Sequence, residues 1–423
     1  MNSRVLCLVA VLVLRSAVMA RPELGDPSLA VDAINSLGLK LLARVTPSSN
    51  SALLSPYSIQ NALAMTYAGA AGKTRAEMAQ VLDYASAGTH LDASFAALAA
   101  ALDQVRQESE ARASEARESG RAVDPITLVS ANRLFGDQSF QFLPAFLATS
   151  RDAFGASLQP MDFIRQAEAA RREINLWVSS ETRDRIRDLI PAGALDASTR
   201  LVLVNAIYLK APWQNPFMAS RTQPEPFRVP GTDAVSVPTM QKVASFGYTS
   251  GEGFSVIGLP YSGGALQFLI LLPDDPDGLE SVASKLTAAT LASGSRLPRQ
   301  EIELHLPRFR LEPPVMNLGT PLRELGMTSA FDEPPGSADF TGMAEQSQGA
   351  GLRISGIFHK TFLELDEQGT EAAAATAVSI GITSLPAAKP KPRVVRVDRP
   401  FLFAIQHRDS GACLFLGKLR DPR

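Results

Sequence analysis

The sequence predicts an α+β fold in one large domain, and three observations support this expectation. Helix-like apolar periodicity dominates as far as about Ser179. After Phe217 the chain has many short apolar runs that proline and glycine interrupt, which is typical of strands. No internal repeat and no long Ser/Gly linker divides the 423 residues. Helices that come first and strands that dominate later are the order of an α+β domain.

The first part of the chain predicts a series of helices. A helix with one apolar face is expected from about Pro27 to Val45, and residues 55–69 are apolar on nearly every side, which predicts a buried helix. Thr74 begins a third helix, and Glu77 three residues later completes a capping-box pattern. An alanine-rich helix over residues 93–105 continues into a charged tract.

The charged tract, residues 106–122, predicts an exposed extension of that helix and no heparin-like ligand, because its charges have mixed sign. Four arginines are offset by four glutamates: Arg106, Arg112, Arg117, Arg121, Glu108, Glu110, Glu115 and Glu118. The whole chain has a net charge of −2, which predicts no general attraction to nucleic acid or to acidic membranes.

Strands are expected at residues 126–134 and 201–209, with a helix that includes residues 167–179 between them. The shorter apolar runs that follow predict further strands at 235–240, 255–259, 266–272, 302–306 and around Leu311.

Residues 1–20 have the pattern of a secretory signal peptide. A basic start precedes the apolar run 5–14, and small residues occupy the cleavage positions Val18 and Ala20. The run is too short to span a membrane. We therefore expect a single domain over residues 21–423 and a secreted or periplasmic location. Cys413 is then the one remaining cysteine, so no intrachain disulfide can form. The absence of any Asn-x-Ser/Thr site favours a bacterial-type exported protein.

The segment after Gly369 has the composition of a loop and the periodicity of a strand. Alternate positions from Thr370 to Ile382 are small and then apolar, while the interleaved positions are polar, small or charged, as in a half-buried strand. Residues 385–392 follow, and their prolines exclude a central strand. This combination predicts a segment that is a loop in one state and a strand in another.

Several motifs in the same order resemble those of the serpin family. The family's hinge pattern of glutamate, any residue, Gly, Thr, Glu and then alanines matches Glu367 to Ala375. Its C-terminal signature matches residues 395–405 without a gap. Further matches lie at residues 55–65, 203–213, 306–309, 357–360 and 413–419.

The resemblance implies three β-sheets, eight or nine helices and an exposed reactive loop at about residues 367–397. It also implies a suicide-substrate inhibitor of serine proteases, which traps the acyl-enzyme by inserting its cleaved loop into the main sheet. By this resemblance, the hinge of the loop consists of Glu367, Gly369, Thr370, Glu371, Ala372, Ala373, Ala374 and Ala375. Small residues there fit between strands, so the hinge favours an inhibitor over the alternative, a non-inhibitory chaperone or carrier.

Two further groups of residues are assigned by the resemblance. The breach, at the top of the main sheet, is Trp213 and Arg308, with Arg308 expected to pair with Glu367. The shutter, under the sheet, consists of Ser55, Ser58, Asn205 and His359, and the histidine is expected to hydrogen-bond to the asparagine.

Family spacing from Glu367 places the scissile bond at Thr383–Ser384, with Ile382 and Leu385 as alternatives for the residue before the cut. These residues favour elastase-like, subtilisin-like or chymotrypsin-like serine proteases, allow papain-like cysteine proteases, and disfavour trypsin-like ones. The Lys/Pro-rich residues 386–393 are interpreted as a stiff spacer, with a cationic exosite as the alternative.

No enzyme, cofactor or metal motif accompanies these features. The chain has four histidines, no Gly-x-Ser-x-Gly elbow, no His-Glu-x-x-His and no paired-cysteine spacing. We therefore expect no catalytic residue, no cofactor, no metal site and no nucleic-acid or membrane partner. The expected partner is a target protease, bound covalently by a monomer that can polymerise by inserting its loop into a neighbour.

Overall fold

The computed structural model describes residues 25–45, 50–84, 90–120, 123–156, 158–345, 351–371 and 391–423. Its helices are α1 (Ser28–Leu42), α2 (Pro56–Ala68), α3 (Gly72–Val81), α4 (Leu91–Glu118), α5 (Pro144–Phe154), α6 (Phe163–Glu181), α7 (Leu279–Lys285), α8 (Ala288–Ser293) and α9 (Gly319–Glu324). The long helix predicted through the charged tract is confirmed as α4, and its exposed face carries ion pairs such as Arg106–Glu110 at 3.0 Å.

The strands are β1 (Ala52–Leu54), β2 (Thr127–Asp137), β3 (Leu158–Met161), β4 (Leu201–Pro212), β5 (Gln223–Phe227), β6 (Val235–Gly251), β7 (Phe254–Pro260), β8 (Leu266–Pro273), β9 (Arg299–Pro307), β10 (Phe309–Leu311), β11 (Met316–Asn317), β12 (Ile354–Thr361), β13 (Leu363–Leu365), β14 (Gly369–Thr370), β15 (Arg393–Arg396), β16 (Phe401–His407) and β17 (Cys413–Leu419). They confirm the strand-dominated second part of the chain.

The strands form one eight-stranded and one nine-stranded sheet. The eight-stranded sheet, called here the main sheet, has the order β10-β13-β14-β4-β12-β11, and β2 and β3 extend it on the other side of β4. The nine-stranded sheet has two parts that β6 joins. Residues 235–239 of β6 pair with β5, residues 239–247 pair with β9, and residues 247–251 pair with β7. The three sheets of the expectation therefore exist as the main sheet and these two linked parts.

β4 is buried on both faces of the main sheet. Leu203, Ile207 and Leu209 belong to the large core, where α2 contacts β4 and β17. Val204 and Ala206 point the other way, into a smaller core that α6 covers. Burial on both faces explains why the strand is a continuous apolar run with little alternation.

α2 is the buried helix that the sequence predicts. Ser55 caps it by accepting a hydrogen bond from the Ser58 N–H at 3.2 Å, and Pro56 occupies the first turn, where no backbone donor is needed. The capping box predicted at Thr74 and Glu77 is wrong. α3 begins at Gly72, and the Glu77 carboxylate accepts hydrogen bonds from the backbone of a distant turn instead, including Ser329 N–H at 2.7 Å.

The described helices include none that is long and apolar enough to cross a membrane.

A substitution at Gly417 tests how tightly the sheet under α2 is packed. A Cβ added there would lie 2.4 Å from the Phe403 ring and 2.7 Å from the Ala52 carbonyl oxygen. Gly417→Ala should therefore lower the free energy of unfolding by roughly 1–3 kcal/mol, the usual cost of overpacking. The measurement is the urea midpoint of each variant. Gly351→Ala is the control, because a Cβ at Gly351 meets nothing within 4 Å. Equal midpoints for the two variants would contradict the packing argument.

Candidate functional site

The candidate site lies at the top of the main sheet, where β13 turns into β14. β14 lies between two strands: Thr370 pairs with Leu365 of β13, and Gly369 and Thr370 pair antiparallel with Pro212 and Ala211 of β4. Below this point β4 has a different neighbour on the same edge, because it pairs directly and in parallel with β12. At the top of the main sheet, β14 therefore lies between β13 and β4, and beneath it β4 and β12 are direct neighbours.

Gly369 is required by this close approach of two backbones. Its φ of +154° and a Cβ position only 2.1 Å from the Ala211 carbonyl oxygen leave no room for a side chain. The position of glycine in the hinge pattern therefore has a steric reason in the structure.

Thr370 is fully buried, and its hydroxyl lies 2.6 Å from the hydroxyl of Tyr261. Tyr261 in turn stacks on Trp213, with ring centroids 4.6 Å apart and an angle of 5° between the planes. Burial raises the pKa of Tyr261 well above its ordinary value, so the phenol stays protonated. The inserted end of the hinge is thus held by a neutral hydrogen bond between buried groups.

Trp213 also holds the turn before β14. Its indole Nε1–H donates to the Asp366 carbonyl at 2.9 Å, and its backbone N–H donates to the Gln368 carbonyl at 2.8 Å. The Asp366 carboxylate accepts the backbone N–H groups of Gln368 and Gly369. Burial raises the pKa of Asp366, and these two donors act in the opposite direction. The turn is therefore fixed from both ends.

Glu367 contacts Arg308, with 3.6 Å between Nη1 and Oε1, and it also accepts the hydroxyl of Thr222 at 2.5 Å. The Arg308 side chain is 47% exposed, so the ion pair alone contributes only about 0–1 kcal/mol. The backbone is the firmer link, because Phe217 N–H donates to the Glu367 carbonyl at 2.8 Å.

Glu371 ends the described part of the hinge. It leaves the strand with a φ of +47°, a left-handed conformation that is uncommon for a residue with a side chain. Its carboxylate forms an ion pair with the Nε–H of Arg185, from the loop that follows α6.

A second cluster lies where β4 and β12 meet. His359 and Asn205 are direct partners in the parallel register, and His359 Nδ1 hydrogen-bonds to the side-chain oxygen of Asn205. On the other side of the ring, Ser55 N–H donates to His359 Nε2 at 3.1 Å. Since Nε2 is an acceptor, the proton is on Nδ1, and the imidazole is neutral.

Burial lowers the pKa of His359 to about 3, which agrees with a neutral ring. The Asn205 amide Nδ2 donates to Ser58 Oγ at 2.6 Å and to Asn132 Oδ1 at 2.7 Å, and Ser58 Oγ donates to Asn132 Oδ1 at 2.8 Å. Nearly all of these polar groups are buried, and each has a partner inside the protein. The cluster is satisfied only while β4 and β12 are adjacent.

The family of the chain follows from comparison with known proteins. The profile of the family described as serpin (serine protease inhibitor) matches residues 32–422. The chain belongs to the serpin family. It is 38% identical over 378 residues to the leukocyte elastase inhibitor of Sus scrofa, covering 87% of this chain and 92% of that protein. It is 37% identical over 379 residues to Serpin B6 of Pongo abelii, covering 88% and 94%. Serpin48 of the insect Tenebrio molitor superposes with a TM-score of 0.75 at 27% identity, covering 96% of this chain and 100% of that structure.

The predicted serpin fold and α+β class are confirmed. This serpin is an inhibitor of serine proteases and not an enzyme, and its partner is a target serine protease. The chaperone or carrier alternative is therefore set aside. Among the described residues no group of three or more His, Cys, Asp or Glu side chains could hold a metal ion.

The predicted secreted or periplasmic location is wrong, because the leukocyte elastase inhibitors and Serpin B6 that this serpin resembles are intracellular serpins. They are also mammalian proteins, so the expectation of a bacterial-type exported member has no support. The same relatives do not support the signal peptide predicted over residues 1–20, which lie outside the described residues.

Part of the predicted site also lies outside the described residues. This applies to Ala372, Ala373, Ala374 and Ala375 of the hinge, and to Thr383 and Ser384 of the scissile bond. The described members lie in two places. Glu367, Gly369, Thr370, Trp213 and Arg308 are together at the top of the sheet, and Ser55, Ser58, Asn205 and His359 are together beneath it.

The sequence reasoning missed several residues of the site. Tyr261, Thr222 and Asn132 contribute hydrogen bonds, and Arg185 contributes a charge. Only Asn132 had a signal, because it is one of several polar residues in the strand expected at residues 126–134. The others belong to loops and strand ends with no pattern of their own.

The neutral, buried state of His359 predicts how stability depends on pH. The folded-state pKa of about 3 lies below the ordinary value of 6.5, so the unfolded chain binds a proton that the native state does not. This contribution to stability is complete above about pH 6.5 and is lost as the pH falls towards 3, by about 1.4 kcal/mol per pH unit.

The measurement is the free energy of unfolding in urea between pH 7.5 and 4.5. His359→Gln should lower stability at pH 7.5 and have a shallower pH slope than the wild type, since its side chain does not titrate. His90→Gln, at an exposed position, is the control and should keep the wild-type slope. Identical slopes for the wild type and His359→Gln would show that His359 is not the group responsible.

Proposed function

We propose that this serpin offers residues 367–397 to a serine protease as a substrate and then inserts the hinge side of the cleaved loop into the main sheet. The observation that supports this most directly is the position of β14. It lies between β13 and β4, with two residues already paired to β4 in an antiparallel register. The space that a full strand would take lies directly below, where β4 and β12 are neighbours.

The register of β14 specifies the inserted strand. If the pairing of Thr370 with Ala211 continues, Ala372 meets Leu209 and Ile380 meets Leu201, the first residue of β4. β4 can therefore pair with residues up to Ile380, and the end of the loop near Thr383 would pass beyond the strand. The length of β4 thus matches the strand-like part of the loop.

The side chains of the loop also match the two faces of β4. Cross-strand partners point to the same side of a sheet. The residues that would face the large core, opposite β4 residues that are all buried there, are Ala372, Ala374, Thr376, Val378 and Ile380. Those that would lie under α6 are Ala373, Ala375, Ala377 and Ser379. The residues under α6 are uniformly small, as the narrow space between a helix and a sheet requires.

Inhibition then follows from the order of the chemical steps. The protease nucleophile attacks the carbonyl of the residue before the scissile bond, the peptide bond breaks, and the new amino terminus leaves. Residues 371–383 then follow Thr370 along the main sheet, with pairing to β4 as far as Ile380, and carry the acyl-linked protease with them. At roughly 3.3 Å per residue, these residues span about 43 Å. A protease moved that far is pressed against the far end of the sheet, and its acyl bond survives because the active site is distorted.

Insertion exchanges one set of interactions for another. The parallel pairs between β4 and β12 are broken, and so is the hydrogen bond between His359 and Asn205. In return the inserted loop would form backbone hydrogen bonds with β4 on one edge and with β12 on the other, and it would bury Val378 and Ile380. By the same register Thr376 arrives opposite Asn205, where its hydroxyl can replace the lost polar partner. The uncleaved protein is therefore the metastable state.

The proposed target is an elastase-like serine protease. Thr383, and the neighbouring Ile382, suit a small or apolar specificity pocket. The leukocyte elastase inhibitors of Sus scrofa and Bos taurus, both 38% identical to this serpin, are named for an elastase. Subtilisin-like and chymotrypsin-like proteases follow on the same grounds, and papain-like cysteine proteases share the acyl intermediate. The inhibitor is proposed to act as a monomer over residues 21–423, with Lys/Pro-rich residues 386–393 as a spacer.

The test of the function is incubation with elastase, chymotrypsin, subtilisin and trypsin, followed by a denaturing gel and mass spectrometry. We expect a complex with elastase that survives denaturation, a released fragment beginning at Ser384, and no complex with trypsin. Cleavage within the loop with full protease activity and no complex would contradict the proposal. A fragment that begins one or two residues away would change only the position of the bond.

Thr370 provides a second test, because it is the first core-facing residue of the strand. Thr370→Arg would place a charge at a fully buried position beside Tyr261, so insertion should fail after cleavage. We expect the variant to be cut as a substrate, with the number of inhibitor molecules consumed per protease rising at least about tenfold, which corresponds to roughly 1.4 kcal/mol in the partition. Thr370→Ser keeps the hydroxyl and is the control. An unchanged stoichiometry for Thr370→Arg would mean that insertion does not pass through this position.

A further inference from the structure

Two residues of the described hinge, Gly369 and Thr370, pair with β4, and Glu371, the last described residue, does not. The next position of the register would place Glu371 opposite Lys210. Glu371 instead adopts a φ of +47°, and its N–H donates to the Glu364 carbonyl at 2.9 Å, across the hairpin that ends β13. A residue with a side chain adopts this conformation at a cost, so another interaction must compensate for it.

The compensating interaction is on the α6 face of the sheet. The Glu371 side chain is only 10% exposed, and its carboxylate is paired with the guanidinium Nε–H of Arg185. The Tyr208 phenol, from the α6 face of β4, interacts electrostatically with the same carboxylate. Burial raises the pKa of Glu371 while the charge of Arg185 lowers it. Burial, and then the charge of Glu371, raise the pKa of Tyr208 to about 12.

Arg185 is held in place by the loop that follows α6. Its backbone N–H donates to the Thr182 carbonyl at 3.0 Å, and the next residue, Ile186, donates to the buried Thr182 hydroxyl at 3.1 Å. Ile186 is fully buried in the core beneath α6, which anchors the loop to the sheet. The anchored loop therefore places Arg185 beside the hinge, although its side chain is half exposed.

Lys210 is the cation that Glu371 would meet one step further into the sheet. It lies on β4 two residues after Tyr208, so its side chain points to the same face, and its Nζ is 2.8 Å from Asp124. Glu371 is already on the side of the sheet that it would occupy after insertion. The hinge carboxylate thus has one cationic partner outside the strand and a second one within it.

We propose that Arg185 is a positioning residue that holds the hinge at Thr370, through the carboxylate of Glu371, until cleavage frees the loop and Lys210 takes its place as the partner. The inference rests on the proposed function, because it describes what limits insertion before the protease arrives. The held state is stabilised by Arg185, whereas the inserted state makes no use of it.

Because Arg185 stabilises only the held state, its removal should favour insertion of the loop. Removing Arg185 leaves the buried Glu371 carboxylate without its charged partner in the held state only. The uncleaved protein should then pass more readily into an inactive form with its loop inserted. Since Arg185 is 50% exposed, its loss should accelerate this change by about fivefold, the factor that corresponds to roughly 1 kcal/mol.

The experiment uses the full chain as wild type, Arg185→Ala, Arg185→Lys, Glu371→Gln and the double variant Arg185→Ala with Glu371→Gln. Each uncleaved protein is incubated at 37 °C, and two quantities are followed in time: the remaining elastase inhibition and the tryptophan emission. The emission comes from Trp213 beside the hinge and from Trp177 in α6. Arg185→Ala and Glu371→Gln should both decay about fivefold faster than the wild type. Arg185→Lys keeps the positive charge and should restore much of the lifetime.

Arg187→Ala is the matched control. Arg187 lies in the same loop, is similarly exposed, and pairs with Asp184 rather than with the hinge, so its removal should leave the decay unchanged. The double variant should decay no faster than either single variant, because both remove the same interaction. Additive acceleration would show that Arg185 acts through another contact and would overturn the inference.

The outcomes separate this inference from the proposed function. If the wild type forms no complex with any protease, the proposed function fails, and the emission measurement still shows whether Arg185 restrains the hinge. If the wild type inhibits but Arg185→Ala decays at the wild-type rate, the inference is overturned and the proposed function stands. Should Arg185→Ala fail to fold, Glu371→Gln provides the same test from the other side of the ion pair.

Discussion

The direct pairing of β4 with β12 is the interaction on which the rest of the structure depends. It closes the main sheet, and the hydrogen bond between His359 and Asn205 lies at its centre. Buried polar groups that have partners only in one arrangement specify that arrangement. The pairing must nevertheless be broken for the loop to enter. In the proposed mechanism the serpin therefore uses a fully satisfied contact to maintain a state that is not its most stable one.

The hinge shows how one sequence can serve two states. Gly369 and Thr370 are already in the sheet, fixed by a steric requirement and by a buried hydrogen bond to Tyr261. The residues that follow are small, and in the proposed inserted state they would fit between the strands. Larger residues in the same positions would either bind elsewhere or overpack the sheet. In the proposed mechanism the small size of these residues therefore allows the same segment to serve in both states.

The sequence predicted the features that depend on local pattern or on a gap-free motif. These include the long helix α4, the strands β2 and β4, and the contacts of His359 with Asn205 and of Glu367 with Arg308. It could not predict contacts that join distant and unpatterned segments. The hydrogen-bonded Tyr261 and Thr370 are 109 residues apart in the sequence. Glu77 does not cap α3 as expected, and its carboxylate accepts a hydrogen bond from the backbone N–H of Ser329, 252 residues away. The predicted location failed for another reason, since it rested on a short N-terminal pattern that carries no information about the fold.

A charged residue within a run of small ones needs its own explanation, and Glu371 has one in the two faces of β4. A carboxylate on the large-core side would be buried without a partner and would prevent insertion. On the α6 side it can be exchanged between two cations, Arg185 outside the strand and Lys210 within it. Lys210 already lowers the pKa of this carboxylate, but the ion pair is made with Arg185, and the backbone must leave its left-handed conformation before Glu371 can lie opposite Lys210. In the proposed mechanism this change of conformation separates the waiting state from the inserted one, and a hinge made only of alanines would have no ion pair to hold it.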